Sequence, residues 1–403
     1  MVFLSRGTQT PGLRQEGAAD PIPFFSQART FDRLWPDIGA RVEEVFDSGK
    51  FSHGRQVAEF ERGLADYTGA RFAVGVNSGT DALVLLLRAA GLQPGDEVIV
   101  PVYSFVATAT SVVLAGGRPV FADVDPVTYA LDPAEVDRVA GPRTRFVLPA
   151  HLFCQMADMA ALSEIAERRG LTVLEDSAEG IGMRQRGVHA GLHGAGGVLS
   201  FFPSKTLGAL GDAGAVLTDD PRIAELVSGL RHHGRFGRTI DNFPGIATET
   251  GMVGTNSKMD DIQAAVLSAK LTCLDADIAR RAELAAAYRR RLTGVPGVVR
   301  LPEIADTAPD SAGVWYVYLI EVEHRDELVA HLDRCGIGTE SYYPVPFHLQ
   351  PCFAGHGHRR GDFPRAEAAS ERAVALPLYP DLTLDQLDRV CAAISDFGAR
   401  RCA

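Results

Sequence analysis

Three short segments carry residue types that can do chemistry. Ser78-Gly79-Thr80 joins a short apolar strand to a strongly apolar helix in VGVNSGTDALVLLLRAAG. Backbone N–H groups at a helix start, added to the positive helix end, make a phosphate cradle, and the same three residues also make a plain helix N-cap. In VLEDSAE, Asp176 falls at the carboxyl end of an apolar run. Sheets flanked by helices place ligands at that end. A carboxylate there can hold a ring nitrogen protonated and make the ring an electron sink, or it can cap a following helix. Lys205, in LSFFPSK, follows an apolar run and stands beside Ser204 and Pro203. Desolvation at such a position lowers an amine's pKa and makes it a competent Schiff-base nucleophile. The stretch from Asp176 to Lys205 has room for one short helix or loop and one further strand, so both residues can reach the same sheet edge.

The elements that must position these residues follow from periodicity. Val57, Phe60, Leu64 and Tyr67 recur at spacings of three and four, which is one helix face. PGDEVIVP reads as a turn feeding a buried strand. Short β-branched runs follow at residues 120–124, 146–150, 171–175, 198–202 and 215–218, with helical stretches at 156–169 and after Asp220-Pro221. Strands without polar alternation, interleaved with helices, predict a mostly parallel sheet covered on both faces. The character changes after Leu274: a long Ala- and Arg-rich helix at 278–292, a strand in VWYVYLIEVE, a helix in DELVAHLDRCG ending at Gly336, and a final helix in LTLDQLDRVCAAIS. The expectation is an α/β chain with a disordered leader over 1–20, a three-layer αβα domain over 21–270 and a smaller α+β domain over 271–403. DNFPGIATETGMVGT, residues 241–255, has no periodicity and reads as a surface excursion.

At 403 residues, 46% apolar and 23% charged, the chain has the composition of a two-domain globular protein. Its 40 basic and 51 acidic residues leave a net charge of -11, which argues against a nucleic-acid or membrane surface as main partner. The six cysteines (Cys154, Cys273, Cys335, Cys352, Cys391 and Cys402) are scattered without a C-x-x-C pair and read as free thiols of a reducing compartment. No run approaches membrane-spanning length and the N-terminus lacks a signal-peptide pattern, so a cytoplasmic location is expected. His356 and His358 in GHGHRRG, and His232-His233, lack partners for a metal set, so no metal is expected.

Each of the three segments is ambiguous alone, but their order is specific. With FERGLADYTGARFAVGVNSGTDAL, FADVDPVTYALDP, EDSAEGIG, SFFPSKTLGALGDAGAVLTDD, GTNSKMDDIQAAVL and SYYPVPFHLQP, the chain resembles the sugar aminotransferases of the DegT/DnrJ/EryC1/StrS family, fold-type-I pyridoxal-phosphate enzymes. The resemblance runs from about Phe24 to near residue 395. It implies that Lys205 carries the cofactor and shuttles a proton, and that Asp176 faces the pyridine nitrogen. It implies further that Gly79, Thr80 and Ser200 bind the phosphate and that Phe105 stacks on the ring, where the bland alternative is core packing. Asn256 resembles an asparagine that reaches the neighbouring subunit's phosphate, which implies a homodimer with shared active sites; an isolated Asn in such a loop is otherwise a turn residue.

Several positions depart from the family pattern. Glu179 stands where Gln is usual, beside the cofactor's phenolic oxygen, and a carboxylate there disfavours the phenolate unless it is paired. Cys154 and Met156 replace Gly and Pro, Lys258 replaces Arg, and Tyr342 replaces His ahead of Tyr343-Pro344. LGALGDAGAVLTDD with SYYPVPFHLQP is most similar to members acting on 3-keto nucleotide hexoses. The implied reaction transfers an amino group from an amino acid, L-glutamate, to C3 of a nucleotide-activated deoxysugar through the pyridoxamine form, in amino-sugar or antibiotic biosynthesis. Tyr342, Tyr343, His348 and Arg231 are the candidate substrate contacts, and His232, Arg235 and Arg238 are further cations for a pyrophosphate, each also explicable as part of a solvated loop. The rivals are a 4-keto sugar or cyclitol substrate, a pyridoxal-phosphate lyase or dehydratase, and a non-catalytic regulatory protein. Lys205 argues against the dehydratases, which carry His in its place. Intact Asp176, Lys205, Ser200 and Asn256 argue against a scaffold.

Overall fold

The computed structural model describes residues 20–236 and 250–402. The leader up to residue 19, Arg238 and most of the 241–255 excursion lie outside them. Among the described residues two helices come first, α1 (Ala28–Ser48) and α2 (Arg55–Thr68). There follow β1 (Phe72–Val76), α3 (Gly79–Ala89), β2 (Glu97–Pro101), α4 (Ala107–Leu114), β3 (Arg118–Ala122), α5 (Pro133–Val139), β4 (Thr144–Val147), α6 (Met159–Arg169) and β5 (Thr172–Asp176). A two-stranded hairpin, β6 (Arg184–Gln185) and β7 (Val188–His189), leads to β8 (Gly196–Ser200), β9 (Gly214–Thr218), α7 (Pro221–Leu230) and α8 (Asp261–Leu271).

Seven of these strands form one sheet in the order β1-β9-β8-β5-β4-β2-β3. Every pairing from β8 to β3 is parallel, while β9 runs antiparallel to both β8 and β1. The mostly parallel sheet expected from the apolar runs is therefore present, with one reversed strand. Because β1 and β8 both oppose β9, they are parallel to each other and to β5. Their carboxyl ends, at Val76, Asp176 and Ser200, share one edge. This topology brings the three chemical segments together.

Local sequence explains the elements. Ser78 Oγ accepts from the Asp81 N–H at 3.1 Å, closing the first turn of α3, and Leu83, Leu85, Leu86 and Leu87 are buried on several sides of it. Burying each such leucine contributes roughly 1.5–3 kcal/mol. The β6–β7 hairpin turns on Arg186 (φ 53°) and Gly187 (φ 81°), two successive left-handed residues as a two-residue hairpin requires. No helix follows Asp176: residues 177–182 form turns, so the helix-cap reading of that residue falls away. Helix α1 was not anticipated. It contains Pro36, yet Leu34, Ile38 and Val45 bury one face, and Leu34 and Ile38 pack with Val266 and Ala269 of α8.

The carboxyl-terminal part comprises α9 (Leu274–Leu292), β10 (Val298–Arg300), β11 (Tyr318–Val322), α10 (Arg325–Arg334), α11 (Pro364–Arg372), β12 (Ala373–Leu376) and α12 (Leu384–Cys402). β10-β11-β12 is an antiparallel sheet backed by a core of its own, in which Tyr288 stacks on Tyr318 at 4.9 Å. Ile22 joins this core and bridges Ile337, so the first described residues pack with the last third of the chain. No helix among the described residues is long and apolar enough to cross a membrane.

Candidate active site

A cavity of about 390 Å³ opens at the carboxyl edge of β1, β5 and β8. Ser78, Gly79, Thr80, Phe105, Asp176, Glu179, Ser200, Lys205, Tyr342 and Tyr343 all line it. One end is the N-terminus of α3. Its walls are built of close backbone: a Cβ on Gly79 would meet Ser200 Cβ at 2.8 Å, and one on Gly214 would meet the Ser78 carbonyl carbon at 2.5 Å. Glycine at both positions lets Ser200 and the helix end converge on one small space, which is what an anion cradle needs.

Asp176 closes the far wall from the end of β5. It is buried; its Oδ2 accepts from Thr108 Oγ1 at 2.6 Å and its Oδ1 from the Ala178 N–H at 3.3 Å. Burial holds its carboxyl above the usual range, against the pull of those donors, Lys205 and His151. A carboxylate this dry favours a positively charged group opposite it.

Lys205 sits in a tight turn, its N–H bonded to the Phe202 carbonyl at 2.8 Å. Its Nζ lies 3.2 Å from Glu179 Oε1 and 4.4 Å from the centre of the Tyr316 ring. The sequence reading expected desolvation to lower this amine's pKa. Burial does act in that direction, but Glu179, Tyr316 and Asp176 together outweigh it and hold the ammonium above its ordinary range. The expectation is corrected by these neighbours, first among them Glu179, 26 residues earlier in the chain.

Glu179 itself is buried and saturated with donors. Its Oε2 accepts from the Phe153 N–H at 2.8 Å, and its Oε1 receives Lys205 and, at 3.3 Å, the Tyr343 hydroxyl. Phe153 donates from a left-handed backbone (φ 65°), which costs a non-glycine residue on the order of 1 kcal/mol. Tyr342 and Tyr343 continue a phenol cluster: Tyr342 and Tyr316 hydroxyls are 3.4 Å apart, as are Tyr316 and Ser204. Phe105 is 56% exposed on the cavity wall, so it is not a core residue, and its ring is 6.3 Å from that of Tyr343.

Two expected substrate contacts are elsewhere. Arg231 Nη1 is bound at 2.5 Å to both Glu61 Oε1 and the Gly75 carbonyl, where it ties α7 to α2 and β1. His348 is buried, and its Nε2 pairs with Glu367 Oε1 at 2.9 Å. Neither lines the cavity, and both have structural partners that their sequence context did not reveal. His232 rings against His53 at 4.7 Å, and Lys258 donates to Asn256 Oδ1. Asn256 is exposed and outside this chain's own cavity. Among the described residues no cluster of His, Cys, Asp and Glu is arranged to hold a metal.

Sequence reasoning missed Thr108, Tyr316 and the His151–Glu175 pair. His151 lines the cavity; its Nδ1 accepts from the Ala157 N–H, so its Nε2–H donates to Glu175 Oε2 at 2.9 Å. Glu175 also accepts from the N–H groups of Gly191, His193 and Gly194. Burial would raise its pKa, but His151 and the backbone donors hold it below the usual carboxylate range. The available signal was strand alternation: Glu175 and Asp176 are neighbours on β5 and must point to opposite faces.

Comparison with known proteins accounts for this arrangement. Residues 34–395 match the DegT/DnrJ/EryC1/StrS aminotransferase family. A pleiotropic regulatory protein of Geobacillus stearothermophilus is 39% identical, over 93% of this chain and 98% of its own. A dTDP-3-amino-3,4,6-trideoxy-alpha-D-glucose transaminase of Streptomyces venezuelae is 41% identical, over 94% of this chain and 97% of its own. The crystal structure of S. venezuelae DesV in complex with a ketimine intermediate superposes with a TM-score of 0.88 at 40% identity, covering 94% of this chain and 99% of that one. The chain belongs to the DegT/DnrJ/EryC1/StrS aminotransferase family. It has the fold-type-I architecture and is a pyridoxal-phosphate-dependent aminotransferase. The residues present fit that cofactor: a glycine-walled cradle at a helix N-terminus for its phosphate, a dry carboxylate for its ring nitrogen, and an amine in the same cavity for its carbonyl.

Proposed function

We propose that this aminotransferase moves an amino group from L-glutamate to C3 of a nucleotide-linked 3-keto-deoxyhexose, with Lys205 as the catalytic amine. One observation carries the assignment of roles: Lys205, Asp176 and the N-terminus of α3 line a single cavity at the carboxyl edge of parallel strands. The 3-amino hexose in the description of the Streptomyces relative supports the choice of carbon and of a nucleotide sugar.

When bound, pyridoxal phosphate supplies a carbonyl that accepts the amino group and a ring that withdraws electrons. The Gly79 and Thr80 N–H groups and the Ser200 hydroxyl hold its phosphate. Asp176, steadied by Thr108, would keep the ring nitrogen protonated, and Phe105 would pack against the ring. Lys205 Nζ is the amine that would hold the carbonyl of the cofactor and, once free, would move a proton to and from the substrate carbon. Glu179 holds the lysine's proton when the amine is free. Tyr342 and Tyr343 wall off water on the substrate side.

Asn256 is proposed to complete the phosphate site of a second copy, giving a homodimer with shared sites; its exposure outside its own cavity supports this. The division into a large domain over 21–270 and a small one over 271–403 is likewise proposed, with Ile22 contributing to the smaller core. Scattered cysteines, five of them free among the described residues, support a reducing cytoplasm.

The test is the reverse reaction against a panel of nucleotide amino sugars, read by mass spectrometry. Conversion of 3-amino hexoses to ketones supports the reading; turnover of 4-amino sugars alone overturns the choice of C3. A purely regulatory role, the description given to the Geobacillus relative, predicts no turnover and no spectral response to L-glutamate.

A further inference from the structure

Lys270, on α8, is a buried amine that the chemistry above does not use. It is 5% exposed. Its Nζ donates to Gln27 Oε1 at 2.8 Å and to the Gly208 carbonyl, and the Phe31 ring lies 5.5 Å away. Gln27 in turn donates from Nε2 to the Pro203 carbonyl. Residues 203 and 208 are the two ends of the turn that presents Lys205. That turn is closed at its base by the Ala209 N–H on the Phe201 carbonyl at 2.8 Å. It is also tight: a Cβ on Gly208 would meet the Pro203 oxygen at 2.3 Å and Gln27 Nε2 at 2.9 Å.

We propose that Lys270 is a positioning residue: through Gly208 on one side and Gln27 and Pro203 on the other, it clamps both ends of the Lys205 turn and so fixes where the catalytic amine points. The inference rests on the reading of Lys205 as that amine. A buried amine is costly for folding alone, since an apolar side chain of the same volume would fill the space without desolvating a polar group. The groups acting on it are Asp277, already paired with Arg33 at 3.2 Å, and Arg281, both on α9. Burial, the largest influence, lowers its pKa to about 7. One of its acceptors is the Gly208 carbonyl and the other is Gln27, which holds the Pro203 carbonyl, so both links lead to the one turn that carries Lys205.

The experiment compares Lys270→Met, Gln27→Met and the double variant of the full-length enzyme, loaded with pyridoxal phosphate. The premise is checked separately in the wild type by the visible absorbance of the bound cofactor, which Lys205→Ala must abolish. Loss of that premise would show as an unchanged spectrum in Lys205→Ala, whatever Lys270 does. If the clamp positions the amine, Lys270→Met lowers kcat by about 10- to 100-fold, the cost of a displacement near 1 Å, with the KM for L-glutamate nearly unchanged. The pH at which the visible band titrates moves as well. Gln27→Met gives the same pattern, and the double variant is no worse than the poorer single one, because both cut one clamp. A Lys270→Met enzyme with wild-type kcat and titration and only a lower melting temperature overturns the proposal, as does a double variant whose losses multiply. Should Lys270→Met fail to fold, Gln27→Met decides on the same two readouts.

Discussion

Replacing Glu179 by Gln keeps the shape of the site and removes one charge. The amide oxygen can still accept from the Phe153 N–H and the Tyr343 hydroxyl, but Lys205 Nζ loses the carboxylate 3.2 Å away. A unit charge at that distance is worth about 1.3 kcal/mol at the dielectric of water and about 5 kcal/mol at an effective value of 20. The side chains of Lys205 and Glu179 are 14% and 3% exposed, so the site lies between these limits. Loss of the carboxylate charge lowers the Lys205 pKa. Burial, the largest single influence, is then opposed by Tyr316 and Asp176 without the carboxylate, so the amine loses its proton at a lower pH than in the wild type. The assay is competitive labelling of cofactor-free protein with a trace of amine-reactive reagent across pH, with the Lys205 peptide quantified by mass spectrometry. Only the neutral amine reacts, so the Glu179→Gln profile moves to lower pH and labelling at pH 8 rises about tenfold or more. Superimposable profiles, or a move to higher pH, would refute the pairing as the cause of the raised pKa.

Three further outcomes follow from the same contacts. Gly79→Ala drives a Cβ into Ser200, so it weakens retention of the cofactor on dialysis while the fold, read by circular dichroism, persists. Arg231→Gln breaks the links to Glu61 and Gly75 and lowers unfolding stability by about 1–3 kcal/mol, with the sugar KM unchanged; a raised KM would restore Arg231 as a substrate contact. For Lys270 the folded pKa of about 7 lies below the ordinary lysine value of 10.5, so between these values the unfolded chain keeps a proton that the folded chain has lost. Stability therefore rises with pH across that window, by at most about 1.4 kcal/mol per pH unit, relative to Lys270→Met. Denaturant titrations of the two proteins at pH 7 and pH 9 check this, and parallel stabilities would contradict it.

Most of the site was legible because its members sit where chain order and strand ends meet. An apolar run ending in Asp176, a second ending near Ser200, and a strand leading into Ser78 must all finish at one edge if the strands are parallel, and they do. Their meeting at one edge needed nothing more; the roles assigned to them came from the family resemblance. What escaped was contact across the sheet and between distant segments. Thr108 reaches Asp176 across 68 residues and Tyr316 approaches Lys205 from the carboxyl-terminal part of the chain, and no local pattern encodes either meeting. Arg231 and His348 lie outside the cavity for the converse reason: their type suggested ligands, while Glu61 and Glu367, which pair with them, lie outside any local window. The order of the Lys205 pKa influences was hidden likewise, since burial could be inferred from apolar flanks but the placement of Glu179 against the amine could not.

The central claim is that Lys205 is the amine that binds pyridoxal phosphate and serves the amino transfer. Reduction of the cofactor-loaded protein with borohydride, followed by peptide mapping, tests it most directly. The account predicts the reduced cofactor's mass on Lys205, and its loss when L-glutamate is added before the reductant. The mass on another lysine, or a label on Lys205 that L-glutamate leaves undiminished, would contradict it.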